Sequence, residues 1–201
     1  MNLPDDQLLA LARSGDAGAR DALFARHYPG VLRFFELNAT WVAEDLTQRT
    51  FVACLEVLAR VPAGAFRGYL FGIARNQLRM YRRRAATEAA HGTPEPEIRK
   101  TGVSTIVARS QEQRRLLVAL GKLPEDQRIL ITLRYWEDLD STELGRVLEM
   151  PASTARTRLS RVREALKASL EAQGGSGELI EEALRGLVAR MVVSPGDVPL
   201  R

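Results

Sequence analysis

Seven arginines and no acidic residue occupy the stretch from Val57 to Thr87. Guanidinium groups at this density attract phosphate oxygens, and aromatic rings beside them can stack on unpaired bases. On a helix from about residue 66 to 84, the residues that project to the polar side are Arg75, Asn76, Arg79, Arg82 and Arg83. Phe66 and Tyr69 lie at the start of this helix, and rings at helical spacing more often belong to the core, so we expect both to be mainly packed. The stretch predicts a surface for single-stranded nucleic acid.

A second basic segment runs from Pro151 to Leu170, with five Lys or Arg against one Glu. Its apolar residues recur at helical spacing, and Ser153 and Thr154 are candidate caps. Just before it, Asp140 and Glu143 form a capping-box pattern that opens a shorter helix. A short helix, a turn and a basic helix predict a helix-turn-helix whose second helix fits the DNA major groove. A plain amphipathic hairpin with a solvated basic rim is the alternative.

A third polar surface is predicted on a helix from about residue 43 to 60. Its apolar arc comprises Leu46, Phe51, Ala53, Cys54, Leu55, Val57 and Leu58. The opposite side carries Asp45, Gln48, Arg49, Val52 and Glu56. Such a stripe is usually solvent-facing surface, but its mixture of acid, amide and aliphatic groups also suits docking on another protein's helix.

Composition argues against several classes of protein. The net charge is only +4, and the single cysteine, Cys54, excludes a disulfide framework and a cysteine-based zinc site. The acidic amino terminus does not match a signal peptide, and no apolar run approaches the roughly 18 residues of a membrane span. We find no nucleophile–base pair, phosphate-binding glycine loop or metal cluster. We therefore expect a cytoplasmic protein that is not an enzyme, binds no metal or cofactor and does not insert into membranes.

The order of segments predicts an all-α protein of two small helical domains joined by a flexible linker. Residues 1–85 form the first domain, and 86–110, rich in Ala, Pro and Gly, form the linker. Residues 111–171 form the second domain, and 172–201 are a Gly-rich hinge and a C-terminal helical extension of unknown role. Pro29 is expected to kink or break the long helix that contains it.

Four stretches, in this order, resemble bacterial RNA polymerase sigma factors of the sigma-70 family, in the small extracytoplasmic-function (ECF) group. They are DDQLLALARSGDAGARDALFARHYP at 5–29, AEDLTQRTF at 43–51, FRGYLFGIARNQLRMYRRR at 66–84 and LPEDQRILITLRYWEDLDSTELGRVLEMPASTARTRLSRVREAL at 123–166. The resemblance identifies the first domain with sigma region 2 and the helix-turn-helix domain with region 4. It implies a factor that directs core RNA polymerase to promoters, melts the DNA and starts transcription.

The resemblance also implies partners and contact residues. Core RNA polymerase would contact Asp45, Gln48, Arg49 and Val52. The minus-ten element, captured as melted single strand, would contact Arg60, Phe66, Arg67, Tyr69, Arg75, Asn76, Arg79, Arg82 and Arg83. The minus-thirty-five element, read as duplex, would contact Ser153, Thr154, Arg156, Thr157, Ser160 and Arg161. An anti-sigma factor is a further partner that the family implies.

Two other functions are compatible with parts of this pattern. A stand-alone helix-turn-helix regulator would use only the carboxy-terminal domain, and would not need the arginine-rich helix or the polar stripe. A polymerase-binding decoy would keep the stripe but would not open promoters. Polymerase-dependent DNA binding separates the first alternative from a sigma factor, and the appearance of transcripts separates the second.

Overall fold

The computed structural model describes residues 3–90, 111–174 and 180–191, and within them every regular element is helical. The helices are α1 (Asp5–Arg13), α2 (Ala17–Asn38), α3 (Ala43–Val57), α4 (Phe66–Ala90), α5 (Gln111–Lys122), α6 (Glu125–Trp136), α7 (Ser141–Leu148), α8 (Ala152–Glu171) and α9 (Ile180–Met191). Single turns of 3₁₀ helix span Thr40–Val42 and Leu58–Arg60. The all-α prediction is confirmed. None of the described helices is long and apolar enough to cross a bilayer.

The first helical unit packs α1, α3 and α4 around α2. Its core includes Leu23, Phe35, Leu46, Cys54 and Leu70, all nearly inaccessible to solvent. α2 runs from Ala17 to Asn38 with Pro29 inside it. Of the predicted kink or break, the break is therefore wrong and the kink stays a prediction. A proline in a helix interior costs about 3 kcal/mol, and the packing of α2 against the three other helices offsets that cost.

The structure corrects three predictions about the first unit. α4 extends to Ala90, so residues 86–90, assigned to the linker, are helical; the run of Ala and other good helix formers after Arg84 explains this. Residues 91–110 of the predicted linker lie outside the described residues. Leu55 and Tyr69, predicted to be packed, are exposed, because neighbouring helices cover a narrower arc of α3 and α4 than apolar spacing suggested.

The second unit consists of α5 to α8. Asp140 caps α7: its carboxylate accepts hydrogen bonds from the backbone amides of Thr142 and Glu143. The Glu143 carboxylate accepts in turn from the backbone amide of Asp140, which confirms the capping box. α8 begins at Ala152 after Pro151, and the predicted cap by Ser153 or Thr154 is wrong, since the helix starts before both residues. A turn of three residues thus joins two packed helices in the predicted helix-turn-helix.

The carboxy-terminal α9 packs against α5 and α6 of the second unit. The indole Nε1 of Trp136 donates to the backbone carbonyl of Leu184 at 2.9 Å, and Leu184 is completely buried. Glu181 forms an ion pair with Arg163 at 2.6 Å and accepts from the hydroxyl of Tyr135. The helical extension is therefore part of the second unit. The predicted glycine hinge lies mostly outside the described residues, at 175–179.

Candidate nucleic-acid and partner interfaces

The outer face of α8 is a candidate surface for duplex DNA. Its inner face, at Ala155, Leu159 and Val162, is buried. The outer face is exposed at Ser153, Arg156, Thr157, Ser160 and Arg161, with Thr154 half-buried at its edge. In this unbound state the Thr157 hydroxyl donates to the Ser153 carbonyl at 3.1 Å. All six side chains named from the sequence are thus on one accessible side of α8.

Gly145 sets the approach of the turn to α7. The Met150 amide donates to the Gly145 carbonyl at 2.9 Å, and Glu149 between them adopts a left-handed conformation with φ 56°. A Cβ at position 145 would lie 2.6 Å from the Met150 carbonyl oxygen and 3.2 Å from the Ala152 amide nitrogen. Only glycine leaves room for this contact, and the orientation of α8 depends on it. Sequence analysis did not single out Gly145, because helical spacing carries no signal of an inter-helix clash.

The polar stripe of α3 is accessible. Asp45, Gln48, Arg49 and Val52 are all exposed, whereas Thr47 and Thr50 on the other side are buried and hydrogen-bond to carbonyls of their own helix. Arg49 forms an exposed ion pair with Asp45 at 2.9 Å. Because both groups are about half exposed, this pair contributes little to stability, and both charges remain available to a partner.

The predicted single-strand surface divides into accessible and covered residues. Arg60, Asn76 and Arg83 are exposed, and Tyr69 is 36% exposed. Phe66 is 2% exposed and its ring lies 5.2 Å from that of His27. The phenyl ring of Phe66 therefore belongs to the core and is not positioned to stack on a base in this conformation.

The other four arginines of this surface contact carboxylates of the second unit. Arg67 pairs with Glu143 at 3.1 Å. Arg75 lies between Asp126 at 3.7 Å and Glu149 at 3.9 Å, and donates to the Val147 carbonyl at 3.3 Å. Arg79 reaches Glu149 at 3.7 Å, and Arg82 pairs with Glu125. Carboxylates of the second unit therefore face all four guanidinium groups, although the Arg79 side chain remains 58% exposed.

Asn38, at the end of α2, accepts hydrogen bonds from Arg82 of α4 and from Arg128 of α6. The backbone carbonyl of Asn38 accepts from Arg82 at 2.9 Å, and its side-chain oxygen accepts from Arg128 at 3.4 Å. Burial, reinforced by the nearby Arg128 guanidinium, lowers the pKa of Arg82 to about 10. Burial likewise lowers the pKa of Arg128. Two desolvated cations therefore lie close together, and Glu125 supplies the compensating charge on Arg82.

Arg33 and Glu137 form a further inter-unit pair at 2.7 Å, and sequence analysis missed both. Both side chains are largely buried, and Gly30 lies so close that an added Cβ would meet a Glu137 carboxylate oxygen at 2.3 Å. Burial raises the pKa of Glu137, and the Arg33 guanidinium opposes that shift without cancelling it. The partners are 104 residues apart, so no local pattern could have revealed the pair.

Comparison with known proteins identifies the family of this chain. The sigma-70 region 2 family matches residues 23–88, and the sigma-70 region 4 family matches residues 113–166. The RNA polymerase sigma factor CnrH of Cupriavidus metallidurans is 32% identical over 185 residues, which cover 84% of this chain and 95% of CnrH. The chain belongs to the sigma-70 family. The resemblance seen in its sequence motifs is confirmed, and the protein is an ECF sigma factor that directs transcription initiation.

Other relatives cover this sigma factor to a similar extent. The ECF sigma-E factor of Escherichia coli K12 is 27% identical over 180 residues, covering 82% of this chain and 93% of that protein. The structure of CnrH in complex with the cytosolic domain of CnrY superposes with a TM-score of 0.58 at 29% identity, covering 84% of this chain and 97% of CnrH. Sigma factors are initiation factors and not enzymes. In the part of the chain that the structure describes, no group of His, Cys, Asp and Glu side chains could hold a metal ion.

Proposed function

We propose that α3, α4 and α8 divide the work of this sigma factor. The stripe at Asp45, Gln48, Arg49 and Val52 docks on core RNA polymerase. The arginine-rich face of α4 captures the melted minus-ten strand, and the outer face of α8 reads the minus-thirty-five duplex. The observation that carries this proposal is the accessibility of the α3 stripe and the α8 face on one protein of this family.

The same proposal requires the two units to separate before the minus-ten strand binds. Arg75 has a side-chain exposure of 12%, and Arg67, Arg79 and Arg82 also face carboxylates of the second unit. DNA phosphates and these carboxylates compete for the same guanidinium groups, so the observed arrangement is a closed form. Docking on polymerase, which spaces the units to match both promoter elements, would release α4.

An anti-sigma factor is the second partner that we propose. CnrH has been solved in complex with the cytosolic domain of CnrY, and the superposition covers 84% of this chain. A partner of that kind would bind the closed or a related form and keep it from polymerase. We further propose that the chain acts in the cytoplasm, where polymerase is, and has no catalytic activity of its own.

The direct test is run-off transcription from a promoter library with core polymerase, with and without the protein. Transcripts that depend on the protein are expected, and their start sites would give both promoter elements. Polymerase binding without transcripts would favour the decoy, and DNA binding without polymerase would favour the stand-alone regulator.

Gln48→Ala is expected to weaken binding to core polymerase by about 1–2 kcal/mol, or roughly 5- to 30-fold, because the amide lies at the middle of the exposed stripe. Affinity is measured by fluorescence anisotropy of the labelled sigma factor, with circular dichroism as the check on folding. Gln7→Ala, an exposed amide on α1, is the matched control and should bind as the native protein does. Equal affinities for the two variants would remove Gln48 from the docking surface.

Arg156→Ala is expected to cost about 1–3 kcal/mol of minus-thirty-five recognition and to relax preference at one base step, because a guanidinium on a base edge is the strongest single contact of this kind. The measurement is competition among promoters with each base substituted in turn. Lys167→Ala removes one positive charge farther along the same helix and should weaken all sequences alike or not at all. If the base preference is unchanged in Arg156→Ala, the Arg156 side chain contacts phosphate or solvent and not a base.

A further inference from the structure

Trp41 is the most exposed large hydrophobic side chain in the described part of the chain, at 71%. The second tryptophan, Trp136, is only 7% exposed and is hydrogen-bonded to α9. Tryptophan is the side chain with the most area to gain from burial, and fully exposed examples on a surface often mark a partner site. Packing among the described residues therefore does not explain the exposure of Trp41.

The backbone around Trp41 is fixed. The Ala39 amide donates to the Phe35 carbonyl at 2.6 Å, and the Val42 amide donates to the Ala39 carbonyl at 3.1 Å. The hydroxyl of Thr40 donates to the Glu36 carbonyl at 2.7 Å. The 3₁₀ turn that carries Trp41 is thus tied to the end of α2, and the indole projects from a preorganised position. Preorganisation reduces the entropy lost when a partner covers the ring.

Trp41 lies next to the α3 stripe along the chain, on the 3₁₀ turn that precedes α3. Val52 is 60% exposed and Leu55 is 47% exposed, and both follow Asp45 and Gln48 at helical spacing. Trp41 precedes Asp45 by four residues, directly before the first turn of α3. At 1.5 Å per residue the set spans about 20 Å. An aromatic residue stands at one end, aliphatic residues at the other, and polar groups between them.

We propose that Trp41 is a docking residue of the polymerase-binding surface, which runs from Trp41 through Asp45 and Gln48 to Val52 and Leu55. The occupant is a helical segment of core polymerase with an apolar side chain to cover the indole. Glu44, which is exposed and close to Trp41 in the chain, favours a basic group next to that apolar contact, whereas Asp45 is already paired with Arg49. This inference rests on the proposed docking role of α3, which Trp41 directly precedes in the chain.

Trp41→Ala is expected to lower affinity for core polymerase at least tenfold, and Trp41→Phe to lower it less, since a phenyl ring retains part of the contact area. Leu11→Ala, an exposed apolar residue on α1, is the matched control and should leave affinity unchanged. In parallel, hydroxyl-radical footprinting by mass spectrometry on the native full chain should show Trp41 protected from oxidation when core polymerase is added. The footprint needs no variant, so it decides the matter even if Trp41→Ala fails to fold.

The outcomes separate this inference from the function on which it rests. A Gln48→Ala variant that weakens binding, with an unprotected Trp41 and a Trp41→Ala variant of native affinity, would overturn the role of Trp41 and leave the docking of α3 intact. No polymerase binding by the native chain would overturn the proposed function itself. A native chain that is dimeric by light scattering and becomes monomeric in Trp41→Ala, without change in polymerase affinity, would assign the indole to a second copy of the chain and overturn the inference.

Discussion

Replacing Glu125, Glu137 and Glu149 together by glutamine is expected to open the closed form of this sigma factor. Each carboxylate pairs with an arginine of the first unit, namely Arg82, Arg33 and Arg75 or Arg79 respectively. The Glu125 and Glu149 pairs are partly accessible to solvent and contribute about 0.2–1 kcal/mol each, whereas Arg33 and Glu137 are largely buried, so losing that pair costs more. We therefore expect the three changes to shift the closed–open equilibrium by at least about 1 kcal/mol, or roughly fivefold. The exposed guanidinium groups then become available to phosphates.

Two measurements check this expectation. Small-angle X-ray scattering should show a larger radius of gyration for the triple variant, and anisotropy with a fluorescein-labelled single-stranded 20-mer of mixed sequence should show tighter binding. Salt should also expand the native protein, since screening weakens its inter-unit pairs, and should change the variant less.

The matched control changes the same net charge elsewhere. The control variant replaces three exposed glutamates that lie outside the inter-unit pairs, by the substitutions Glu36→Gln, Glu164→Gln and Glu182→Gln. This triple variant should scatter as the native protein does. A comparable gain in DNA binding by this control would show that net charge alone is responsible. An unchanged scattering profile in the first variant would mean that apolar packing, and not these ion pairs, holds the units together.

Gly145→Ala is expected to destabilise the helix-turn-helix by about 2–3 kcal/mol, because the new methyl group would overlap the Met150 carbonyl oxygen. The clash is with backbone, so α7 or the turn must move, and α8 is displaced from its position on the unit. Thermal unfolding followed by circular dichroism measures the loss. Affinity for a minus-thirty-five duplex should fall further than stability alone explains, since the outer face of α8 is reoriented.

Gly72→Ala provides the control for this substitution. Position 72 is inside α4, and an added Cβ there has no atom within 4 Å. Alanine should therefore stabilise the protein by about 0.5–1 kcal/mol through helix propensity. Destabilisation of similar size at both positions would refute the steric explanation for Gly145.

In the folded chain, several arginines of the predicted nucleic-acid surface pair with carboxylates of the second unit. Seven arginines with no acidic neighbour between Val57 and Thr87 predict a surface for nucleic acid. In the folded chain, carboxylates from the second unit neutralise four of the nine residues predicted to contact the minus-ten strand. Glu143 thus has two roles in our proposal, because it pairs with Arg67 and also completes the cap of α7. In our proposal, burial disfavours the charged form of Glu137 only while the two units are packed together.

Features that depend on neighbours along the chain were predictable without the structure. Helical periodicity placed Ser153, Arg156 and Arg161 on the outer face of α8, and the spacing of Asp140 and Glu143 predicted a capping box that the structure contains. These features follow from the 3.6-residue repeat and from hydrogen bonds within one turn. The order of the motifs also sufficed to identify the family.

The accessibility of each surface depends on how the helices pack in three dimensions. Arg33 meets Glu137 across 104 residues and Arg67 meets Glu143 across 76, while Trp41 is left uncovered. Such contacts depend on how whole helices pack, and the sequence near each residue has no signal for a partner so distant. Helical spacing shows which residues share a face of a helix, and the packing of the two units determines whether that face is covered by protein or left exposed to a partner.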